Sequence, residues 1–300
     1  MEAIRNFEDL IDCLRVRGDR KRVAIVWAGD NHTQSSINRA LEAGFISAIF
    51  IGCRKEVEEN KVLMRHREFI SFVDAQDCDE AAAIAVKMVR EGKADILMKG
   101  MLNTDNLLRA VLNKDYGMLP KGNVLTHISC AHVPHYPRLI FFTDAAVIPY
   151  PTEEQRAKQL GYLAYVARAL GVKEPKIAMV HCTEKVDERH FPFTGSYVRL
   201  KERALNGEFG PCIVDGPLDV KTACNYESMK KKHIDSPIHG EADALLFPDI
   251  VSANTFYKTI TLFTSCTTAA VLQGTMAPVV VPSRGDSIMS KYYSLALAVL

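Results

Sequence analysis

The chain has 300 residues, with 37 Lys and Arg against 36 Asp and Glu, so its formal net charge is +1. A balanced charge argues against nucleic acid or a membrane surface as a partner, and any anion site must therefore be local. The length favours about two domains, each large enough to bury its own core.

The N-terminal residues MEAIRNFEDLIDCLRVRGDRKR predict an amphipathic helix rather than a signal peptide, because acidic residues interrupt every apolar stretch. No apolar run approaches the ~18 residues of a membrane span. Eight cysteines are scattered without a CxxC pair or a Cys/His cluster at metal spacing. This usage is typical of reduced thiols, so we expect a cytoplasmic protein without a metal site.

Short apolar runs rich in β-branched residues then alternate with longer helical patterns. This alternation predicts an α/β fold with right-handed crossovers and largely parallel sheets. The predicted strands are residues 22–27, 47–51, 69–74, 94–98, 139–144, 176–180, 212–215, 242–247 and 277–281.

Between the strands, Thr152 followed by Gln155 forms a capping-box pattern, and the apolar stripe after it stops at Gly171. A second helix is predicted over residues 79–91, ending at Gly92.

Two turn-rich points suggest a domain boundary, the loop at residues 132–138 and the turn at Pro282. We therefore predict one domain from residues 1–133 plus 282–300 and a second from residues 134–281.

The stretch ILMKGMLNTDNLLRAVL, residues 96–112, runs from a buried strand through Lys99 and Gly100 into a helix that carries Arg109. One interpretation is an anion pocket formed by Lys99, the N–H groups of the helix start and Arg109. The other is a surface lysine with an Asp105–Arg109 pair worth ~0.3–0.5 kcal/mol. Spacing alone does not separate them.

A second polar strand end lies in PVVVPSRGDSIMSKYYSLALAVL, residues 278–300. Arg284 can hold a phosphate bidentately, Gly285 permits close backbone approach, and the next helix adds its dipole. The alternative is an ordinary helix cap by Asp286 or Ser287 beside a solvated arginine.

Other polar strand ends are more often turns or caps than sites; they are Asp144, residues 215–217 and residues 249–254. Neither GxxxxGK[ST] nor GxGxxG follows a strand, which disfavours P-loop and dinucleotide chemistry. Arginine, lysine and hydroxyl groups without a metal cluster favour a phosphate that is bound rather than hydrolysed.

Five ordered blocks, LMKGMLNTDNLLRAVL, FFTDAAV, VDGPLDVKTA, EADALLFPDIVSANTFYK and VVVPSRGDSIMSKYYSLALAVL, resemble the phosphate acetyl/butyryltransferase family. The resemblance runs from about residue 22 to the C-terminus. LMKG and the absence of a long N-terminal extension look like the phosphate butyryltransferase branch.

This resemblance implies a two-domain isocitrate/isopropylmalate dehydrogenase-like fold with an interdomain cleft, and a homodimer or larger homo-oligomer. It implies that a short acyl group moves between coenzyme A and inorganic phosphate, both substrates, with no permanently bound cofactor. The acyl phosphate would pass to a butyrate or acetate kinase.

Carried over by motif, Arg109 and Arg284 clamp the phosphate or carbonyl, and Ser283 hydrogen-bonds at the reacting centre. Where acetyl-type members place an aspartate this chain has Ser290, and Asp286 is the nearest replacement. Asn103 and Glu241 also depart from the family pattern. The residues expected to bind phosphate or coenzyme A are Lys99, Gly100, Asn103, Thr104, Asp144, Asn254, Lys258 and Lys291.

Three alternatives stay open from the sequence. One is a phosphate acetyltransferase acting on acetyl-CoA. Another is a metal- and NAD(P)-dependent decarboxylating dehydrogenase, although no clustered carboxylates lie near the arginines in the sequence. The third is a non-catalytic protein that binds coenzyme A or phosphate.

Overall fold

The structure is a computed structural model that describes residues 3–283 and 285–300. It divides into two compact units. The first unit comprises Phe7–Leu125 and Thr268–Leu300, and the second comprises residues 3–6 and Thr126–Thr267. These divisions, at 125/126 and 267/268, differ from the predicted boundaries at 133/134 and 281/282.

The secondary-structure elements follow one another in an α/β order. The elements up to residue 143 are α1 Phe7–Arg17, β1 Lys21–Val26, α2 Asn31–Ala43, β2 Ile46–Ile51, α3 Arg54–Glu58, a 3-10 helix Leu63–Phe69, β3 Ile70–Val73, α4 Cys78–Arg90, β4 Ile96–Lys99, α5 Thr104–Val111, β5 Thr126–His132 and β6 Ile140–Thr143. The remaining elements are α6 Glu153–Ala169, β7 Lys176–Val180, α7 Thr194–Leu205, β8 Ile213–Leu218, α8 Val220–Cys224, α9 Tyr226–Lys231, β9 Ala244–Leu246, α10 Ile250–Phe263, β10 Thr267–Gln273, β11 Val279–Val280 and α11 Ile288–Val299.

In the first unit the strand order is β3-β2-β1-β4-β11-β10. All neighbours are parallel except β10 and β11, which are antiparallel. The central strands read as continuous apolar runs because helices cover both faces of a parallel sheet. All four residues of β4 are buried.

In the second unit the strand order is β5-β6-β9-β7-β8, with β5 antiparallel to β6 and the other neighbours parallel. The predicted capping box at the start of α6 is confirmed, since Thr152 accepts from the Gln155 N–H and the Gln155 side chain accepts from the Thr152 N–H. The predicted α/β alternation and largely parallel pairing are also confirmed.

Two strands were missed, β5 and β10, and both pair antiparallel. Their residues, THISCAH and TTAAVLQ, mix Thr, Ser and Ala with few large β-branched side chains, so the strand signal is weak. Pairing of β10 with β11, and of β11 with β4, joins the segment after Thr267 to the first unit. Pairing of β5 with β6 joins residues 126–132 to the second, which explains the displaced boundaries.

Across residues 3–283 and 285–300, the helices are all too short or too polar to cross a membrane.

Candidate active site

Three neighbouring parallel strands of the first unit end at the same side of the sheet. The register pairs Val26 of β1 with Lys99 of β4, and Met98 of β4 with Val280 of β11. The loops after these strands lead into α2, α5 and α11. We call these loops, with the first turns of the helices, the β1/β4/β11 edge. Ligands of open α/β sheets bind beyond such carboxyl ends.

Lys99 is only 2% exposed, so its ammonium is buried within this edge. Its Nζ donates to the carbonyl of Gly100 at 3.2 Å and to that of Leu102 at 3.1 Å. A buried ammonium is costly unless acceptors surround it. Lys99 therefore organises the loop from β4 to α5, a role that the sequence did not predict.

Gly100 lies directly against the end of β1. Its N–H donates to the Val26 carbonyl at 2.8 Å, and the next N–H, of Met101, donates to the Trp27 carbonyl at 2.8 Å. A Cβ at Gly100 would lie 2.5 Å from the Trp27 oxygen and 2.6 Å from the Val26 oxygen. Only glycine permits this approach.

Helix α5 begins at this loop with Asn103 at its N-cap position and Thr104 as its first residue. Asn103 has extended backbone angles, but its side chain makes no capping hydrogen bond to the helix. The first-turn N–H groups of a helix lack intrahelical partners and favour an anion. The start of α5 therefore keeps the donors that a phosphate would use.

Arg109 lies in the last turn of α5 and is exposed. The predicted Asp105–Arg109 pair does not form, and Arg109 has no hydrogen bond or ion pair with any residue that the structure describes. The alternative interpretation of Arg109 as one half of a surface ion pair is thus wrong. Its guanidinium keeps all its donors for a ligand.

The loop after β11 is closed by hydrogen bonds between Ser283 and Asp286. The Ser283 N–H donates to Asp286 Oδ2 at 2.7 Å, and the Asp286 N–H donates to the Ser283 carbonyl at 3.2 Å. Ser287, not Asp286, caps α11 by accepting from the Ser290 N–H at 3.0 Å. The Ser283 side chain is exposed. Arg284 lies outside the described residues.

Ser290, which replaces the acetyl-type aspartate, is part of the packing between α11 and β10. Its hydroxyl donates to the Thr268 carbonyl at 2.7 Å and lies 3.0 Å from Thr268 Oγ1. A serine hydroxyl held in this way offers no base at neutral pH.

Lys291, the next residue of α11, is 4% exposed. Its Nζ lies 3.4 Å from Thr33 Oγ1 and 3.8 Å from Asp30 Oδ1. Asp30 caps α2 by accepting from the Thr33 N–H at 2.8 Å. The sequence did not predict a role for Asp30 or Thr33, although Asp30 is a polar residue shortly after the apolar run of β1, the same signal that marks the other strand ends.

Asp144, of the second unit, is fully engaged within its own loop. Its carboxylate accepts from the N–H groups of Ala146, Val147 and Ile148 at 2.9, 2.9 and 3.1 Å, and from Thr126 Oγ1 at 2.8 Å. With 3% exposure, this carboxylate has the geometry of a structural residue rather than a ligand contact.

Replacing Asp144 with alanine is therefore expected to lower the free energy of unfolding by about 3–5 kcal/mol, because buried donors that lose their acceptor cost about 1–3 kcal/mol each. Urea unfolding of the purified protein measures this change. Asp74→Ala is the matched control, since the Asp74 side chain is 81% exposed and pairs with the exposed Arg54. A loss for Asp144→Ala no larger than for the control would contradict the structural role.

Two further residues that the sequence predicts to bind substrate, Asn254 and Lys258, lie on α10 of the second unit. Asn254 Nδ2 donates to the Ala145 carbonyl at 2.9 Å, which ties α10 to the loop that Asp144 organises. Lys258 is exposed, with its Nζ 4.8 Å from the centre of the Tyr257 ring. Both side chains are accessible, and their role in binding substrate stays a prediction.

Glu241, a departure from the family pattern, lies near the amino ends of β7 and β9, away from the carboxyl ends where ligands bind. Its Oε2 accepts from Nζ of Lys176, the first residue of β7, at 2.6 Å, and this bond lowers the pKa of Glu241. Nearby Asp243 precedes β9, and burial raises the pKa of its carboxyl. The departure at Glu241 thus belongs to an ion-pair network at the amino ends of the strands.

Within the described part of the chain, no three His, Cys, Asp or Glu side chains are grouped so that they could hold a metal ion.

Comparisons with known proteins match most or nearly all of the chain. The family model described as phosphate acetyl/butaryl transferase matches residues 62–299. Phosphate butyryltransferase of Clostridium beijerinckii is 34% identical over 99% of this chain and 97% of its own length. Phosphate acetyltransferase of Thermotoga maritima is 32% identical over 97% and 98%. The crystal structure of a branched-chain phosphotransacylase from Enterococcus faecalis V583 superposes with a TM-score of 0.79 at 28% identity, covering 93% of this chain and 97% of that one.

Proposed function

Because the chain belongs to the phosphate acetyl/butaryl transferase family, we propose that it is a phosphate acyltransferase of the butyryl type. It moves a short acyl group between coenzyme A and inorganic phosphate. Two observations carry this assignment to particular residues. The start of α5, at the β1/β4/β11 edge, is not capped by its N-cap side chain, and Arg109 in the last turn of the same helix is exposed and has no partner among the described residues.

In the proposed reaction, hydrogen phosphate is bound by Arg109 and by the first-turn N–H groups of α5. These donors hold the anion while one unprotonated oxygen faces the thioester carbonyl carbon. The phosphate oxygen forms a bond to that carbon, the carbon–sulfur bond breaks, and coenzyme A leaves as a thiolate. The proton of the phosphate hydroxyl ends on this thiolate, so acyl phosphate and the thiol are the products.

Ser283 supplies a hydroxyl donor for the charge that develops on the carbonyl oxygen. Asp286 is a positioning residue in this scheme, because its carboxylate accepts the Ser283 N–H and so holds the loop. Arg284 keeps the role that the family resemblance implies, as a second clamp. We assign no general base to Ser290, since its hydroxyl is engaged with Thr268.

Lys99 and Gly100 contribute by shaping the loop that presents Asn103 and Thr104. Asn254 and Lys258 are proposed to contact coenzyme A, because both are exposed on α10.

We further propose the isocitrate/isopropylmalate dehydrogenase-like fold, a homo-oligomer, and a supply of acyl phosphate to an acyl kinase, all as the family implies. Sedimentation equilibrium measures the oligomer.

The test is thiol release from acetyl-, propionyl-, butyryl- and isobutyryl-CoA, with and without phosphate. We expect release that depends on phosphate and is fastest with four-carbon substrates. Release from acetyl-CoA alone would assign the acetyl activity instead. Binding of acyl-CoA without any release would establish a non-catalytic protein, and binding of NAD(P) would point to the dehydrogenase alternative.

A further inference from the structure

Lys291 is buried and Asp30 is half-buried, yet the two side chains are only loosely paired. The Lys291 side chain is 5% exposed and that of Asp30 is 20% exposed, while Nζ and Oδ1 are 3.8 Å apart. The only hydrogen bond of the ammonium among the described residues is to Thr33 Oγ1, at a long 3.4 Å. A buried ammonium with three donors is therefore weakly satisfied.

Only one of the two carboxylate oxygens of Asp30 accepts a hydrogen bond from a described residue. Oδ1 accepts the Thr33 N–H and caps α2. Oδ2 is closed to solvent and has no hydrogen-bond partner among residues 3–283 and 285–300. Since a buried acceptor without a donor is unfavourable, a ligand that brings a donor to Oδ2 would gain by filling it.

The pair lies at the β1/β4/β11 edge. Asp30 follows β1, whose end is bonded to the Gly100 loop. Lys291 follows the Ser283–Asp286 loop by one helical turn, with its N–H donating to the Ser287 carbonyl at 3.1 Å. Both residues thus belong to the loops and helix starts to which the proposed function assigns phosphate binding.

We propose that Asp30 and Lys291 select hydrogen phosphate as the acyl acceptor, an inference that rests on the proposed function. Asp30 Oδ2 accepts a hydrogen bond from the phosphate hydroxyl, and the Lys291 ammonium pairs with a charged phosphate oxygen. The loose ion pair opens to admit the anion, because the long lysine side chain changes rotamer more easily than the backbone moves. The proton stays on the phosphate at this stage.

This arrangement distinguishes anions by whether they carry a proton. Hydrogen phosphate carries a hydroxyl at neutral pH, whereas sulfate carries none. An ionised carboxylate only accepts hydrogen bonds, so it repels a fully ionised oxygen at the place where it binds a hydroxyl. The site therefore rejects sulfate although the two anions share shape and size.

Asp30→Asn tests the proposal, because asparagine is as good an N-cap as aspartate and preserves the start of α2. The asparagine amide adds an N–H group that can donate to a sulfate oxygen. We expect the ratio of the sulfate inhibition constant to the phosphate KM to fall by about tenfold or more, while KM for butyryl-CoA stays unchanged. Lys291→Met is expected to raise the phosphate KM without this change in ratio.

The matched control is Asp77→Asn, which alters another N-cap aspartate of the same unit, at α4. It is expected to leave the ratio unchanged. Titration calorimetry of the wild-type protein and the Asp30→Asn variant with sodium phosphate and with sodium sulfate gives the same comparison without turnover.

The outcomes separate the two proposals. Turnover by the wild-type protein together with an unchanged anion ratio in Asp30→Asn would overturn the selection by Asp30 and leave the acyltransferase function standing. Absence of turnover with all acyl-CoA substrates would overturn the function, and the calorimetric ratio would then decide whether Asp30 selects phosphate.

Discussion

Replacing Arg109 with alanine is expected to lower kcat/KM by about 10²-fold, because the phosphate that it clamps is then no longer positioned against the thioester carbonyl. The guanidinium is exposed and has no partner among the described residues, so its removal breaks no internal contact. The free energy of unfolding is therefore expected to change by less than about 0.5 kcal/mol. Loss of activity without loss of stability is the signature of a ligand-binding arginine.

Thiol release with butyryl-CoA and varied phosphate measures the activity, and urea unfolding measures the stability. Arg109→Lys keeps the charge but not the planar fork, and is expected to recover only part of the activity. Arg65→Ala removes another exposed arginine of the same unit, on the 3-10 helix, and serves as the control. Unchanged kcat/KM in Arg109→Ala would remove this residue from the mechanism.

Gly100→Ala is expected to lower both stability and activity. The added Cβ would lie 2.5 Å from the Trp27 carbonyl oxygen and 2.8 Å from its carbon, so the loop must move away from β1. Overpacking of this kind costs about 1–3 kcal/mol. Because the same loop leads to the start of α5, its displacement also moves the proposed phosphate donors, and we expect kcat/KM to fall by about tenfold or more.

Thermal unfolding and thiol release together test this variant. Gly161→Ala is the control, since the nearest atom to its added Cβ lies 4.0 Å away and alanine favours the helix that it occupies. Gly100→Ala would contradict the proposed backbone contact if it unfolded at the wild-type temperature. If it lost stability but kept full activity, the loop would have no part in phosphate binding.

The sequence predicted the local structure well wherever one local signal dominates. Parallel strands covered on both faces must be apolar and β-branched, and those runs were found in both units. The start of α6 was predicted because a capping box needs only four consecutive positions, and the structure shows both of its hydrogen bonds.

The candidate site was predicted in part for the same reason. Polar residues and glycines directly after apolar runs marked the loops after β4 and β11, and ligands bind at such strand ends. The sequence by itself did not show that these strands are neighbours, which the pairing of Val280 with Met98 established.

Only the tertiary structure showed which polar side chains bind their own loop and which remain at the surface for a ligand. Lys99 turns inward to two loop carbonyls, Asp144 binds its own loop, and Arg109 lies at the surface without a partner among the described residues. The same local sequence would allow each of these side chains to face solvent or to turn inward, because burial and hydrogen-bond partners depend on the residues packed around it.

The sequence by itself determined the α/β alternation, the family and the loops that hold the candidate site, because these depend on short runs of residues. Tertiary structure decided the antiparallel partners β5 and β10, the division into units and the pairing of Lys291 with residues at the start of α2. Thr33 and Lys291 are 258 positions apart, and only the packing of α11 beside α2 brings them together.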